Sequence, residues 1–453
     1  MIYMNKKVLF NAVIAGFLIA LPYSALADTN TQTTNPIPAA GVLAIPPLLQ
    51  HILDAKQQLQ IVALGHTLVA KYKTNKKKVK VLTGYAIGTK DAALAVFDPN
   101  SNHIGIVKGT LSGQKFSFGD SYYALRQIGF NGVNTRFQVT TPAGGIVVAL
   151  KYLLSNPDSG SQTAIEAGLQ PVIYTPNSPE LNTNDLAIYG GQYLDSVMNT
   201  VAFELSYVQS VSVPGEKLTD AIKPAIIKAL IYAEHTNTSE FSDSTANIQD
   251  IINQLNVSFA IDQADTFKYS VSTSGARGIS QFIPSTYNGV VARHPNANLI
   301  PDATIGLSDQ VNSIKAEYLL MDDYIVAVHA RVASDFNPAF VYDYGAASYN
   351  GGVARVAKAV ETFGANWDVD HAAETANLQT QINGQQAGIK TLKSQISKAL
   401  GATKKDLNAQ LATESSTLAD LKNQLASIKT SALHGETISY LNKMHKLITI
   451  FNS

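Results

Sequence analysis

Glu234 closes the apolar run ALIYAEH (229–235), and a carboxyl in that setting is a candidate general acid. Desolvation disfavours the carboxylate and raises its pKa, and the negative end of a helix dipole acts in the same direction. An acid kept protonated near neutral pH can give its proton to a leaving oxygen and then serve as the base. Three further stretches carry polar side chains suited to holding a substrate near it. SGARGISQFIPSTYNG (274–289) packs glycines, hydroxyls, a proline and Gln281 into a segment without strand or helix period, which reads as a functional loop. AASYNGG (346–352) offers Tyr349 and Asn350 ahead of a helix, and HGETISYLNKM (434–444) puts Glu436 and Tyr440 four residues apart on one helical face. His235, next to the acid, either tunes it or caps the helix end, the second being the plainer expectation.

The elements that would position these groups are legible in outline. TDAIKPAIIKALIYAEH (219–235) places Ile222, Ala225, Ile226, Ala229 and Leu230 on one face, a mostly buried helix whose last turn holds Glu234. Helical character is expected from about Val201 onward. Before it, residues 46–200 read as an α+β domain: one helix from Pro46 to Lys71, then short strands at 78–88, 93–98, 103–109 and 115–119. DPNSN and TLSGQ supply turn chemistry between them, and helices follow the small antiparallel sheet. No catalytic motif stands out in residues 46–200. The lysine run KYKTNKKKVK (71–80) is expected to be a solvated helix end and turn. Residues 373–430 carry two heptad segments, Leu378, Ile382, Ile389, Leu392 and Ile396, then Leu407, Leu411, Leu418, Leu421, Leu425 and Ile428. Gln385 and Glu414 each fill one slot, and GATKK (401–405) breaks the halves, so an antiparallel coiled-coil hairpin is expected.

Residues 1–27 combine a basic start, an apolar core and an Ala25-Leu26-Ala27 cleavage pattern, a cleavable signal peptide that predicts export to the periplasm; 28–45 read as a polar linker. The chain has no cysteine, which excludes disulfides and thiolate chemistry. Lys6 and Lys7 leave with the leader, so 32 basic and 34 acidic residues remain, too balanced to recruit nucleic acid or an anionic wall by bulk charge. None of the nine histidines has HExxH-like spacing, so neither metal nor cofactor is expected.

Taken in order, the four stretches resemble the soluble lytic transglycosylases, the Slt-type branch of the lysozyme-like fold. The matching residues are Glu234; Ser272, Gly275, Ala276, Gly278, Gln281, Pro284 and Thr286; Tyr349, Asn350 and Gly352; and Glu436, Thr437 and Tyr440. The likeness spans residues 220–372 and 434–446. His235 stands where the family has serine, Ser280 replaces the usual methionine, and the Glu234-to-Ser272 gap is long; GISQFIPSTY with that gap is also similar to membrane-bound lytic transglycosylase B, which lacks the Tyr-Asn element.

The resemblance implies a mainly α lysozyme-like domain at 201–372, closed by the helix at 431–453 and carrying the hairpin as an insertion. It implies cleavage of the β-1,4 bond between N-acetylmuramic acid and N-acetylglucosamine with a 1,6-anhydro product. Glu234 would act as acid then base, and Ser272, Gln281, Tyr349, Asn350, Glu436 and Tyr440 would line the glycan groove. On the same resemblance Tyr349 is a candidate to hold the Glu234 carboxyl, Glu436 with Tyr440 to support the wall beside it, and the loop glycines to let backbone approach the sugar. The partner is then peptidoglycan, and the N-terminal domain or hairpin is available to an envelope-complex protein. Two alternatives stand beside this: a non-catalytic wall-binding or scaffold component, and a hydrolytic muramidase with a second carboxylate from EFSDSTANIQD (240–250).

Overall fold

The computed structural model describes residues 44–452 except 157–158 and 243–246, and residues 45–453 form one compact unit. The expected signal peptide, and all but the last two residues of the expected linker, lie outside the described residues. In chain order, α1 (Pro47–Gln60) is followed by β1 (His66–Thr74), β2 (Lys80–Asp98), β3 (His103–Ser112), β4 (Lys115–Phe118), β5 (Ala124–Gly129), β6 (Arg136–Thr141), β7 (Ile146–Ser155) and β8 (Ser159–Gly160). Then come α2 (Gln162–Gly168), β9 (Leu169–Tyr174), α3 (Asn184–Glu204), α4 (Leu218–Ala221), α5 (Pro224–Glu234), α6 (Thr238–Ser242) and α7 (Ile248–Asp262). The chain continues through α8 (Pro284–Arg293), α9 (Ala303–Ser308), α10 (Gln310–Val332), α11 (Val341–Gly351), α12 (Val353–Phe363), α13 (Ala372–Lys398), α14 (Gly401–Ser431) and α15 (Gly435–Phe451). The architecture is α+β.

The sheet is antiparallel, in the order β4-β3-β2-β7-β9, with β1 and β8 also pairing β2. Residues 78–88 and 93–98, expected as separate strands, belong to the 19-residue β2. Its C-terminal half lies between β3 and β7 with both faces buried. Ala93, Ala95 and Phe97 pack on Leu49, Ile52, Ala55 and Leu59 of α1, while Ala92, Leu94 and Val96 pack with Phe116, Phe137 and Tyr152. Its N-terminal half runs out with β1 as a two-stranded ribbon. Five further strands follow β4, where helices were expected.

The first helix ends at Gln60, eleven residues short of the expected Lys71, and Leu68 belongs to β1. The cause is remote in sequence. Lys151 of β7 is buried, and its ammonium donates to the carbonyls of Leu59, Gln60 and Val62 at 2.8, 2.9 and 2.7 Å, taking up acceptors that a helix end leaves open. The lysine run accordingly forms the β1–β2 turn, solvated as expected but not a helix end. The Asn75 side chain accepts from the amides of Lys77 and Val79 at 2.9 and 3.0 Å.

No linker separates the sheet region from the helical region. Leu186 and Ala187 of α3 and Val257, Ala260 and Ile261 of α7 belong to the core under the sheet. Leu194, Val197, Met198 and Val201 of α3, with Ile252, Leu255 and Phe259 of α7, belong to the helical core. A side chain at Gly190 would strike the Asn256 carbonyl, so only a bare α-carbon lets the two helices cross this closely. The boundary placed after residue 200 falls inside α3. A buried ion pair adds to this joint: Lys56 of α1 donates to Asp262 at 2.7 Å, and the same carboxylate oxygen accepts from the Thr175 amide at 2.8 Å.

Around α10, whose residues 312–322 are all buried, pack α3, α5, α8, α9, α11 and α12. The hairpin of α13 and α14 has the expected seam: Leu378, Ile382, Leu425 and Ile428 form its core, and Gln385 donates to the Glu414 carbonyl at 3.2 Å and to its carboxylate. The reversal lies at Ala399–Leu400, earlier than expected, so GATKK is the first turn of α14. At 1.5 Å per residue the 27-residue α13 is roughly 40 Å long. Helix α15 then returns to pack on α5 and α11.

Candidate active site

Helix α5 begins with Pro224 at its first turn, where no backbone donor is lost, and is apolar on nearly every side. Ile226, Ile227, Ala229, Leu230, Ile231, Tyr232 and Ala233 are all buried, so the helix is enclosed up to Glu234, whose side chain comes out half-buried. Burial pushes the Glu234 carboxyl above its ordinary range, while the Tyr440 hydroxyl and the Lys443 ammonium pull it part of the way back. The hydroxyl of Tyr440, itself 4% exposed, donates to Glu234 Oε1 at 2.7 Å. With Oε1 accepting that bond, the acid's proton belongs on Oε2.

Lys443, one turn after Tyr440 on α15, is buried and donates to the carbonyls of Ala233 and Thr236 at 2.6 and 3.0 Å. The helix end therefore carries a cation as well as a dipole, and the cation opposes the rise that the dipole was expected to give. His235 is the C-cap. Its ring stacks on Phe267 with centroids 3.5 Å apart, and its Nε2 meets the Ile279 carbonyl at 2.7 Å, which requires that nitrogen to carry the proton. Burial lowers the imidazole to about 4, so it is neutral and ties the end of α5 to the loop.

The loop is more ordered than its sequence suggests. Residues 284–289 form the start of α8, with Pro284 at the first turn, so only 270–283 is irregular. Ser272 is exposed and its hydroxyl accepts from the Ala276 amide at 3.0 Å, shaping the turn around Gly275. Gly278 has φ +71°, and its α-carbon faces the Leu307 carbonyl of the protein itself, which a side chain would strike. This glycine admits the protein's own backbone rather than a ligand. Gln281 also has positive φ, and its amide folds back to the Gly278 carbonyl at 2.8 Å.

Ser280 is fully buried and central to a polar network. Its hydroxyl donates to Glu317 Oε2 at 2.7 Å and accepts from Ser313 at 3.2 Å, and its carbonyl accepts from the Tyr349 hydroxyl. Tyr349 thus holds the loop, and Tyr440 rather than Tyr349 holds Glu234. Asn350 is exposed and accepts from Thr437 at 2.9 Å, a contact between α11 and α15 made close by the bare Gly351. Glu436 is exposed in the first turn of α15, before that helix enters the core.

Glu317 is the residue that sequence reasoning missed. It lies on α10 with no exposure, and its Oε1 has no partner. Burial pushes its carboxyl well above the ordinary range, and the nearby Glu234 adds to the rise. The structure thus sets a second, fully enclosed carboxyl with a raised pKa behind the loop, near Glu234. Of the acids proposed from 240–250, Glu240 and Asp250 are exposed, and Asp243 lies outside the described residues. The signal for Glu317 was a glutamate in the otherwise enclosed run NSIKAEYLLM (312–321), facing the hydroxyl of Ser280.

Compared with protein-family models, with curated proteins and with solved structures, the chain gives no match. The site therefore stands on its geometry. A half-buried carboxyl with a raised pKa projects from a rigid helix end, oriented by a tyrosine and flanked by a loop held from beneath by a second carboxyl. Such an arrangement can deliver a proton from Oε2 and take one back.

Proposed function

We propose that this protein is a peptidoglycan lytic transglycosylase whose helical region has the lysozyme-like fold. Glu234 protonates the glycosidic oxygen between N-acetylmuramic acid and N-acetylglucosamine. Its carboxylate then takes the proton from the C6 hydroxyl as that oxygen attacks C1, closing the 1,6-anhydro ring. One carboxyl suffices because no water need be activated, unlike the two-carboxylate glycosidases. The observation that carries this reading is the Tyr440–Glu234 bond: the first and last of the four family-like stretches, 206 residues apart in sequence, meet at the acid. The enclosed Glu317 fits a role in holding the loop through Ser280, since the glycan would contact Glu234 and not a fully buried carboxyl. Export to the periplasm would bring the enzyme to its substrate.

One observation favours the second reading, a non-catalytic wall-binding component. The Gln281 amide and the Asn350 carbonyl, expected to bond the glycan, are both spent on internal partners. Digestion of purified sacculi, read by mass spectrometry, separates the possibilities. Anhydro-muropeptides from the wild type and none from Glu234→Gln are expected. Products with free reducing ends would replace the transglycosylase by a hydrolase. Binding to sacculi without any product would make the protein a scaffold.

A further inference from the structure

The ribbon formed by β1 and the first half of β2 is unlike the rest of the sheet. Residues 71–83 are exposed without interruption, although a strand in a globular protein ordinarily buries at least one face. Large apolar side chains lie on both faces. Tyr72 pairs with Leu82 on one, and Val81 pairs with Lys73 on the other, which also carries Val69; these four apolar residues are 60, 47, 47 and 55% exposed. Val79, beside the turn, is 55% exposed. Interleaved with them are Lys71, Lys73, Lys76, Lys77, Lys78 and Lys80, while no aspartate or glutamate occurs from residue 55 to residue 90. In a chain of zero formal net charge this is a strong local concentration of positive charge.

We propose that the tip of the β1–β2 ribbon docks on an anionic lipid bilayer, its lysines meeting the headgroups and Tyr72, Val79, Val81 and Leu82 entering the interface. Charge complementarity selects an anionic surface. The apolar residues select lipid over a polyanion, because valine and leucine gain nothing against a sugar or phosphate chain but are driven from water into an acyl boundary. The tip has lysines and no arginine, which suits a diffuse sheet of charge better than bidentate recognition of individual phosphates. No described helix is long and apolar enough to cross a membrane, so this attachment is peripheral. It is independent of the reaction proposed for Glu234.

The test is co-sedimentation of the chain from Asp28 onward with phosphatidylcholine vesicles and with phosphatidylcholine–phosphatidylglycerol vesicles. Binding to the mixed vesicles alone is expected. Replacing Lys76, Lys77 and Lys78 by glutamine should weaken it on the order of 100-fold. The pair Tyr72→Ser and Leu82→Ser should attach at low salt and be stripped at high salt, where the wild type stays bound. All five positions are exposed, so neither variant touches the core. Full binding by the lysine variant would overturn the proposal. So would equal binding to lipid-free sacculi with no effect of the Tyr72 and Leu82 changes, which would make the tip a polyanion site. Vesicle-independent self-association lost in both variants would assign the ribbon to a second copy of this chain.

Discussion

Helices α1 and α5 each end on a buried lysine supplied from far away, and of the two only α5 carries an acid in its last turn. At α1, Lys151 takes three carbonyls and the chain turns straight into the sheet. At α5, Lys443 takes the carbonyls of Ala233 and Thr236, but the last helical residue between them is Glu234. The lysine cap by itself is a structural device that satisfies the open acceptors of a helix end. The difference is an acid in the last turn whose direct bond is to a tyrosine, while the nearby ammonium is committed to backbone. A direct ion pair would hold the carboxylate ionised; a hydroxyl donor orients the carboxyl without overcoming the rise due to burial.

That contrast can be broken at several points. Glu234→Gln should abolish glycan cleavage, a loss of about 1,000-fold or more at unchanged or slightly higher melting temperature, measured by muropeptide release and thermal unfolding. Lys151→Met should be purely structural: about 3 kcal/mol of stability lost from carbonyls left without a donor, with residual folded protein as active as wild type. Lys443→Met should destabilise by about 2 kcal/mol and also move the pH profile. Removing the cation raises the Glu234 pKa further, so the alkaline limb of activity, where the acid loses its proton, should shift to higher pH. Tyr440→Phe removes the other group that lowers Glu234, so the limb should move the same way, with a stability cost of about 1 kcal/mol.

Glu317→Gln sharpens the comparison from the other side. A carboxyl whose folded pKa is raised contributes stability that is present below its unfolded pKa and lost as pH rises through its folded pKa. Glutamine keeps an acceptor for Ser280 and does not titrate. The melting temperature of the variant should therefore fall less steeply than that of wild type as pH is raised from the ordinary carboxylate range toward the raised pKa of Glu317. An identical slope would show that Glu317 is already ionised in the folded protein over that range, as it is in the unfolded chain, and would remove the raised pKa.

What was legible in the sequence follows from how local its cause is. The end of α5 at Glu234, the β2–β3 turn at DPNSN and the heptad seam depend on neighbouring residues, and each is where the pattern put it. The end of α1 depends on Lys151, some ninety residues away, and the helical periodicity of 46–71 carries no trace of it. The continuity of β2 was hidden because Lys90 and Asp91 interrupt the apolar alternation just where the strand passes from ribbon to core. At the site, residue types pointed to Glu234, Gln281, Tyr349 and Tyr440, but which tyrosine reaches the acid depends on the approach of α15. Glu317 escaped notice because a glutamate in a helix is ordinarily read as solvated, and only the packing around α10 shows it enclosed with Ser280.

The bond between Tyr440 and Glu234 also imposes an order in time. A chain made from its N-terminus presents α5 long before α15 exists, and the hairpin of α13 and α14 must be traversed in between. Until then the Ala233 and Thr236 carbonyls lack their lysine and the acid lacks its tyrosine. A protein with this layout completes the surroundings of Glu234 only at the end of its synthesis, and a product cut short anywhere before residue 440 would lack the hydroxyl that orients the carboxyl.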